Sequence, residues 1–297
     1  MMLPTALTPL FVSRITVFTV GLLLVLKVIA YIMSGSTAIL SSVMDGLTDI
    51  GLSTMTLIAL TWSAKPKDDN HRHGHSKIEG VSALLQAAFM IGAASFLILQ
   101  AITKILKPEP IEQHLIAGII MAIIVLVSYF ISKVQSIAIK SSESVALKAD
   151  HAHYATDSYL NAAILTVIIL DAAGIAPLWF DPLVGIVVAG IFIRTAYNIA
   201  QSAIDYLMDK EIEGDTREQI IDIINKTNGI LSYHDLRITG MISNLFISLD
   251  IEVKPNITIT EAHEIARSLE HKLIETFADA QVLIHIDPEG DIDDTRH

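Results

Sequence analysis

The sequence predicts a six-helix transmembrane bundle over residues 1–207, followed by a small α+β domain over residues 208–297. Three observations carry this. Apolar residues make up 52% of the chain and its mean hydropathy is +0.54, gathered into six runs long enough to cross a bilayer. The charge balance breaks near Met208: Met1 to Leu207 hold 12 Lys+Arg against 13 Asp+Glu, and the remainder holds 8 against 19. Beyond that point the long apolar runs give way to short segments of alternating helical and strand periodicity.

The six runs cover Leu10 to Met33, Ala38 to Trp62, Ile78 to Leu106, Leu115 to Val134, Val145 to Ala173 and Leu183 to Leu207. The first is too long for a secretory signal, lacks a small-residue cleavage site and precedes five more spans. Basic residues set the orientation. Arg14 opens the first span, Lys65, Lys67, Arg72 and Lys77 flank the second connection, and Lys133, Lys140 and Lys148 flank the fourth. The first and fifth connections carry neither Lys nor Arg, and the third has only Lys104 and Lys107. Since Lys and Arg mark the cytoplasmic side, both termini and the acidic domain are expected in the cytoplasm.

In the tail, Asp215 to Lys226 has helical periodicity and stops at Asn228-Gly229. His234 to Thr239 and Leu245 to Val253 alternate as strands around Gly240. Thr260 is expected to cap a helix running to Phe277, with Gln281 to Ile286 as the last strand, closed by Asp287-Pro288. The order is αββαβ. The acidic run Asp291 to Asp294 is read as disordered. An acidic domain repels nucleic acid and attracts cations, so no nucleic-acid partner is expected. Cysteine is absent, which excludes disulfides, thiolate ligands and cysteine nucleophiles and fits a chain facing the cytosol.

An ionised side chain within a membrane span is expensive and marks a functional candidate. The second span carries Asp45 and Asp49, and the fifth carries Asp150, His151, His153 and Asp157. Residues four apart share a helix face, so Asp45 and Asp49 point one way, as do His153 and Asp157. Two such pairs can converge on one cation, and three carboxylates with one imidazole suit a four-coordinate borderline divalent ion. The bland alternative is that these charges pair across helices, but the pattern places no Lys or Arg beside them. Lys27 in the first span is expected to snorkel outward, and Asp171 and Asp181 to be hydrated at outer helix ends.

Asp45-x3-Asp49 with His153-x3-Asp157, flanked by Gly35-Ser36, Ala149-Asp150 and His153-Tyr154, resembles the cation diffusion facilitator family and its bacterial zinc/iron branch, the YiiP type. The resemblance covers nearly the whole chain. It implies a homodimer in the inner (plasma) membrane that exports a divalent cation, zinc before cadmium, ferrous iron, cobalt or manganese, in exchange for protons, with a metallochaperone-like tail. It also implies a second site in the loop at Asp68, His71 and His75, with His73 left out. A regulatory cluster at the dimer interface follows from His234, Asp250, His263, His285 and Asp287. Asp250 stands where the branch carries histidine, which removes one nitrogen donor. Lys77 and Asp209 match a salt bridge joining membrane and tail domains. His271 and His297 are read as surface residues.

Two rivals are weaker. An intramembrane metalloprotease needs His-Glu-x-x-His, and His263-Glu264-Ile265-Ala266-Arg267 lacks the second histidine and lies in the soluble tail; no enzyme is expected. A non-transporting metal sensor or assembly partner of the same fold has no need of an intact four-ligand set.

Overall fold

The computed structural model describes residues 8–34, 37–107, 114–142, 144–175, 177, 179–241 and 244–290. Gly35-Ser36, the Asp291 to Asp294 run and His297 lie outside the described residues. The chain divides into two compact units, Met1–Leu207 and Met208–His297.

The first unit is six long helices: α1 (Pro9–Ser34), α2 (Thr37–Ser63), α3 (Ile78–Leu106), α4 (His114–Ser142), α5 (Val145–Ala172) and α6 (Phe180–Leu207). Among the described residues, five of them (all but α2) are long and apolar enough to cross a membrane. At 27 residues α2 has the same length, but it carries two aspartates and several Ser and Thr. Outward-facing side chains such as Phe18, Ile32 and Leu126 are large, apolar and exposed, as a lipid-facing surface requires.

Small residues set the closest seam. Ala83, Ala87 and Ala94 of α3 meet Ala189, Ala196 and Ala203 of α6, and all six are buried with Met90 and Phe192 filling between them. Small side chains let backbones approach where no hydrophobic effect drives helices together. Helix α5 packs against α2, α3, α4 and α6. Its face is therefore covered by protein rather than lipid, which is where intramembrane charges can be tolerated. Ser144 caps α5, its Oγ accepting from the Leu147 N–H at 3.2 Å.

The second unit is α7 (Asp215–Asn225), β1 (Ser232–Met241), β2 (Asn244–Val253), α8 (Ile259–Thr276) and β3 (Gln281–Pro288), in sheet order β1-β2-β3. β1 and β2 form an antiparallel hairpin, while β3 runs parallel to β2 after the α8 crossover. Along β2 every second residue is buried: Leu245, Ile247, Leu249, Ile251 and Val253 face a core shared with Ile220 and Ile224 of α7 and Leu269 and Leu273 of α8. Asp250 and Glu252 consequently face the other side.

The cap of α8 is Thr258 rather than Thr260. Thr258 and Glu261 form a reciprocal capping box, and the three-residue spacing that such a box needs starts at Thr258. The Thr258 N–H, with help from its hydroxyl, holds the exposed Glu261 carboxyl below the usual carboxylate range. That contribution is present at neutral pH and is lost as acidification passes the folded-state value.

Gly240, near the end of β1, has φ +105°, and a Cβ there would strike the Asn244 carbonyl oxygen across the hairpin. Gly240→Ala should therefore destabilise a fragment beginning at Met208 by about 2 kcal/mol. Urea unfolding of that fragment measures it, and an unchanged midpoint would mean the hairpin relaxes freely.

Candidate metal centres

The membrane centre is built on α2 and α5. His153 Nε2 lies 3.4 Å from Asp49 Oδ1 and 3.4 Å from Asp157 Oδ2, and ligand-capable atoms of the three residues all lie within 4.8 Å of one another. The imidazole is buried, with only 8% of its side chain exposed. Among the described residues neither ring nitrogen has a partner in hydrogen-bond geometry. Buried imidazole nitrogens are ordinarily satisfied. A separation of 3.4 Å is long for an N–H···O bond. It matches the edge of a tetrahedron whose corners stand about 2.0–2.1 Å from a central ion, an edge of about 3.3–3.4 Å. The two contacts therefore have the length of edges around a shared cation.

The structure brings together three of the four expected ligands. Asp45 stands one turn earlier on α2, is exposed, and lies outside the 4.8 Å group. Lys27 accounts for part of this. A Cβ on Gly46 would be 3.5 Å from the Lys27 Nζ, so the ammonium lies against α2 and within electrostatic reach of Asp45. Lys27 therefore does not snorkel outward, and the spans do have a basic neighbour. The cause is the α1–α2 seam, where Gly46 leaves room for the lysine stem. Asp181 is likewise more than a hydrated end: Lys104 Nζ bonds its Oδ2 at 2.6 Å, tying the end of α3 to the start of α6.

The loop centre forms between α2 and α3. Asp68 Oδ1 accepts from the His71 N–H at 2.7 Å and the Asn70 N–H at 3.0 Å. His71 Nδ1 is 3.1 Å from Asp68 Oδ1 and His75 Nε2 is 3.3 Å from Oδ2, with the two rings 4.4 Å apart. Asp68, His71 and His75 thus meet as a three-ligand group, and His73 stands outside it. The His71 N–H holds the Asp68 carboxyl below the usual carboxylate range, so this turn stays charged as pH falls toward 4. Sequence reasoning missed Glu79, four residues beyond His75. It is buried and accepts from Ser63 Oγ at 2.6 Å and Ser144 Oγ at 2.5 Å, joining the end of α2, the first turn of α3 and the cap of α5. An acidic residue opening an apolar span was the available signal.

Lys77 donates to the Tyr206 carbonyl at 2.7 Å and stands 4.8 Å from that ring's centroid, anchoring it to the end of α6.

In the tail, strand register lines up His234, Asp250 and His285 across the sheet. His234 Nδ1 is 3.6 Å from Asp250 Oδ2 and its Nε2 is 3.5 Å from Asp287 Oδ2, while His285 Nε2 is 3.1 Å from Asp287 Oδ1. All four project from the face opposite the core. Within one chain His263 stands apart from them: it is exposed on α8, which packs on the core face. Asp235 joins His234 and Asp250 instead, as a third candidate ligand. It sits at φ +48° where the β1–β2 register shifts, and strand alternation gave no hint of that bulge.

A multi-span helical unit with a protein-lined His/Asp centre, attached to an acidic α+β domain, is the build of a membrane transporter for metal cations. Residues 13–208 match the cation efflux transmembrane domain and residues 212–289 match the cytoplasmic domain of cation efflux proteins. The chain belongs to the cation efflux family, also called the cation diffusion facilitators, and is a multi-pass membrane protein of the YiiP type. It is 32% identical over 276 residues to the cation-efflux pump FieF of Shewanella oneidensis, covering 93% of each chain. It is 33% identical over 271 residues to that of Escherichia fergusonii, covering 90% of this chain and 89% of the other. A crystal structure of the cytosolic domain of a cation diffusion facilitator protein is 26% identical, covering 26% of this chain and 92% of that one, with a TM-score of 0.24.

If Asp68 is a ligand as well as the anchor of its turn, Asp68→Asn should keep the turn, since an amide oxygen accepts the same N–H groups, yet lower zinc binding by about one ion per chain. Equilibrium dialysis of the purified protein reads this, and full retention of zinc would reduce Asp68 to a turn former.

Proposed function

We propose that this protein exports a divalent transition-metal cation, zinc foremost, across the cytoplasmic membrane in exchange for protons. The observation that carries the reading is the Asp49–His153–Asp157 trio, with its buried imidazole, its nitrogens without hydrogen bonds, and its edges of tetrahedral length. Asp45 completes the set as fourth ligand by moving its side chain from the Lys27 side. Cadmium, ferrous iron, cobalt and manganese are accepted less readily, because one imidazole among carboxylates favours zinc. Alternating access rocks the helices around this centre. Residues 1–207 form the membrane domain and 208–297 a cytoplasmic dimerisation and regulatory domain that binds zinc through His234, Asp250, His285 and Asp287. Both termini face the cytoplasm.

Protons enter through the same chemistry. A metal needs neutral imidazole and ionised carboxylates, so metal and proton exclude each other at one site. Exporting a divalent ion against about 100 mV costs on the order of 4.6 kcal/mol. Each proton entering returns about 2.3 kcal/mol from the potential and roughly 1.4 kcal/mol per pH unit. One proton leaves export about 0.9 kcal/mol uphill at one pH unit and equal metal concentrations, whereas two make it about 2.8 kcal/mol downhill and electrically neutral. Two-for-one exchange is the better match.

In reconstituted vesicles, Asp49→Ala should cut zinc flux to below about a tenth of wild type while thermal stability is kept or raised, since one partly buried repelling carboxylate is gone. Wild-type flux in this variant would overturn the transport site. An imposed pH gradient should drive zinc flux with proton counterflow; zinc flux indifferent to pH on both sides would make the protein a uniporter. His153→Asp should move the zinc-to-manganese flux ratio toward manganese by roughly tenfold, the effect of losing the one nitrogen donor. An unchanged ratio would place selectivity elsewhere.

A further inference from the structure

Asp150 is a buried charge that metal binding at the trio leaves unused. It lies one turn before His153 on α5 and is fully buried. Gln135 of α4 donates its amide to Asp150 Oδ2 at 2.6 Å, and Ser53 of α2 donates its hydroxyl to Oδ1 at 3.3 Å. Both carboxylate oxygens accept, the pattern of the ionised form. Ser53 has one hydroxyl hydrogen, so its 2.7 Å contact with the Tyr154 hydroxyl is donated by Tyr154. The Gln135 amide also reaches Thr16 Oγ1 of α1 at 3.4 Å. Side chains of α2 and α4, with α1 joining through Gln135, thus meet on a carboxylate of α5. Among the described residues, the hydrogen bonds it accepts come from neutral donors only.

Neutral donors stabilise a carboxylate without cancelling its charge. In a low-dielectric interior that charge acts on its neighbours over several ångströms. The neighbour one turn along, about 5–6 Å away between Cβ atoms, is His153 at the centre of the ligand trio. Asp150 itself lies outside the 4.8 Å ligand group.

We propose that Asp150 is a positioning residue for metal transport: a fixed, non-ligating negative charge that holds a divalent cation at the trio by its field. Ser53, 3.3 Å from Asp150 and 2.7 Å from the Tyr154 hydroxyl, ties α2 to α5, the two helices on which Asp49, His153 and Asp157 meet. The proposal rests on the reading of the trio as the transport site. A remote charge acts on every divalent ion alike, whereas a ligand discriminates among metals by donor type.

The test is KM and Vmax for zinc, cadmium and manganese, with the full chain in proteoliposomes, and the melting temperature of each variant. Asp150→Asn keeps the shape and removes the charge. It should raise KM about tenfold or more, by the same factor for all three metals, with melting temperature kept. Gln135→Lys neutralises the carboxylate without deleting it and should raise KM in the same metal-independent way, which decides the matter if Asp150→Asn does not fold. A wild-type KM in both variants would overturn the proposal. So would a KM that rises for one metal alone, which would make Asp150 a ligand, or a loss of Vmax and melting temperature at constant KM, which would make it purely structural. Asp49→Ala measured alongside separates the two readings. If it too has wild-type kinetics, the trio is not the transport site; if it fails while Asp150→Asn is normal, only the present inference falls.

Discussion

Five of the ionisable side chains on α2 and α5, in the part of the chain built for lipid, set the problem that the membrane unit solves. Asp45, Asp49, Asp150, His153 and Asp157 each carry a steep desolvation penalty in a hydrocarbon interior. Each has a different remedy. Asp150 is held by Ser53 and Gln135, Asp49 and Asp157 flank the His153 ring, and Asp45 lies within reach of Lys27. These remedies need α5 enclosed by α2, α3, α4 and α6, an arrangement the close alanine seam between α3 and α6 helps to support. The apolar residues make a bundle, and the charges lie where α5 meets α2 and α4.

The water-facing end of the bundle is organised by the same logic at smaller scale. Glu79 is buried, and its two oxygens accept from the end of α2 and from the cap of α5. The loop it closes carries Asp68, His71 and His75, folded by two backbone N–H bonds to one carboxylate oxygen. A turn former and a candidate metal ligand are therefore the same side chain. Ordering the loop and charging the site are one event, since the His71 N–H favours the ionised form of Asp68.

In the tail, the period of two does the sorting. Burial of Leu249 and Ile251 against α7 and α8 puts Asp250 on the opposite face, and parallel pairing with β3 brings His285 and Asp287 beside it. The bulge after His234 adds Asp235 to that face's candidate ligands. With aspartate at 250, the row has His234 and His285 as nitrogen donors and several oxygens. By donor type, such a set is a weaker candidate for a borderline metal than a histidine-rich one.

The sequence by itself determined the helices and strands and singled out the candidate ligands. Apolar length and period are local properties, and the i,i+4 spacing of His153 and Asp157 fixes a shared face before any packing exists. The loop trio was equally legible, because its three ligands lie within eight consecutive residues. Tertiary structure decided what depends on distance between elements. It drew Asp49 but not Asp45 to His153, turned Lys27 toward α2 rather than lipid, and left His263 across the sheet from its expected partners. It also gave Asp150 and Glu79 their partners, from other elements 15 to 97 residues away in the chain. Helical spacing says which way a side chain points along its own element. Only the packing of one helix on another, set here by alanines and a glycine, says what it meets.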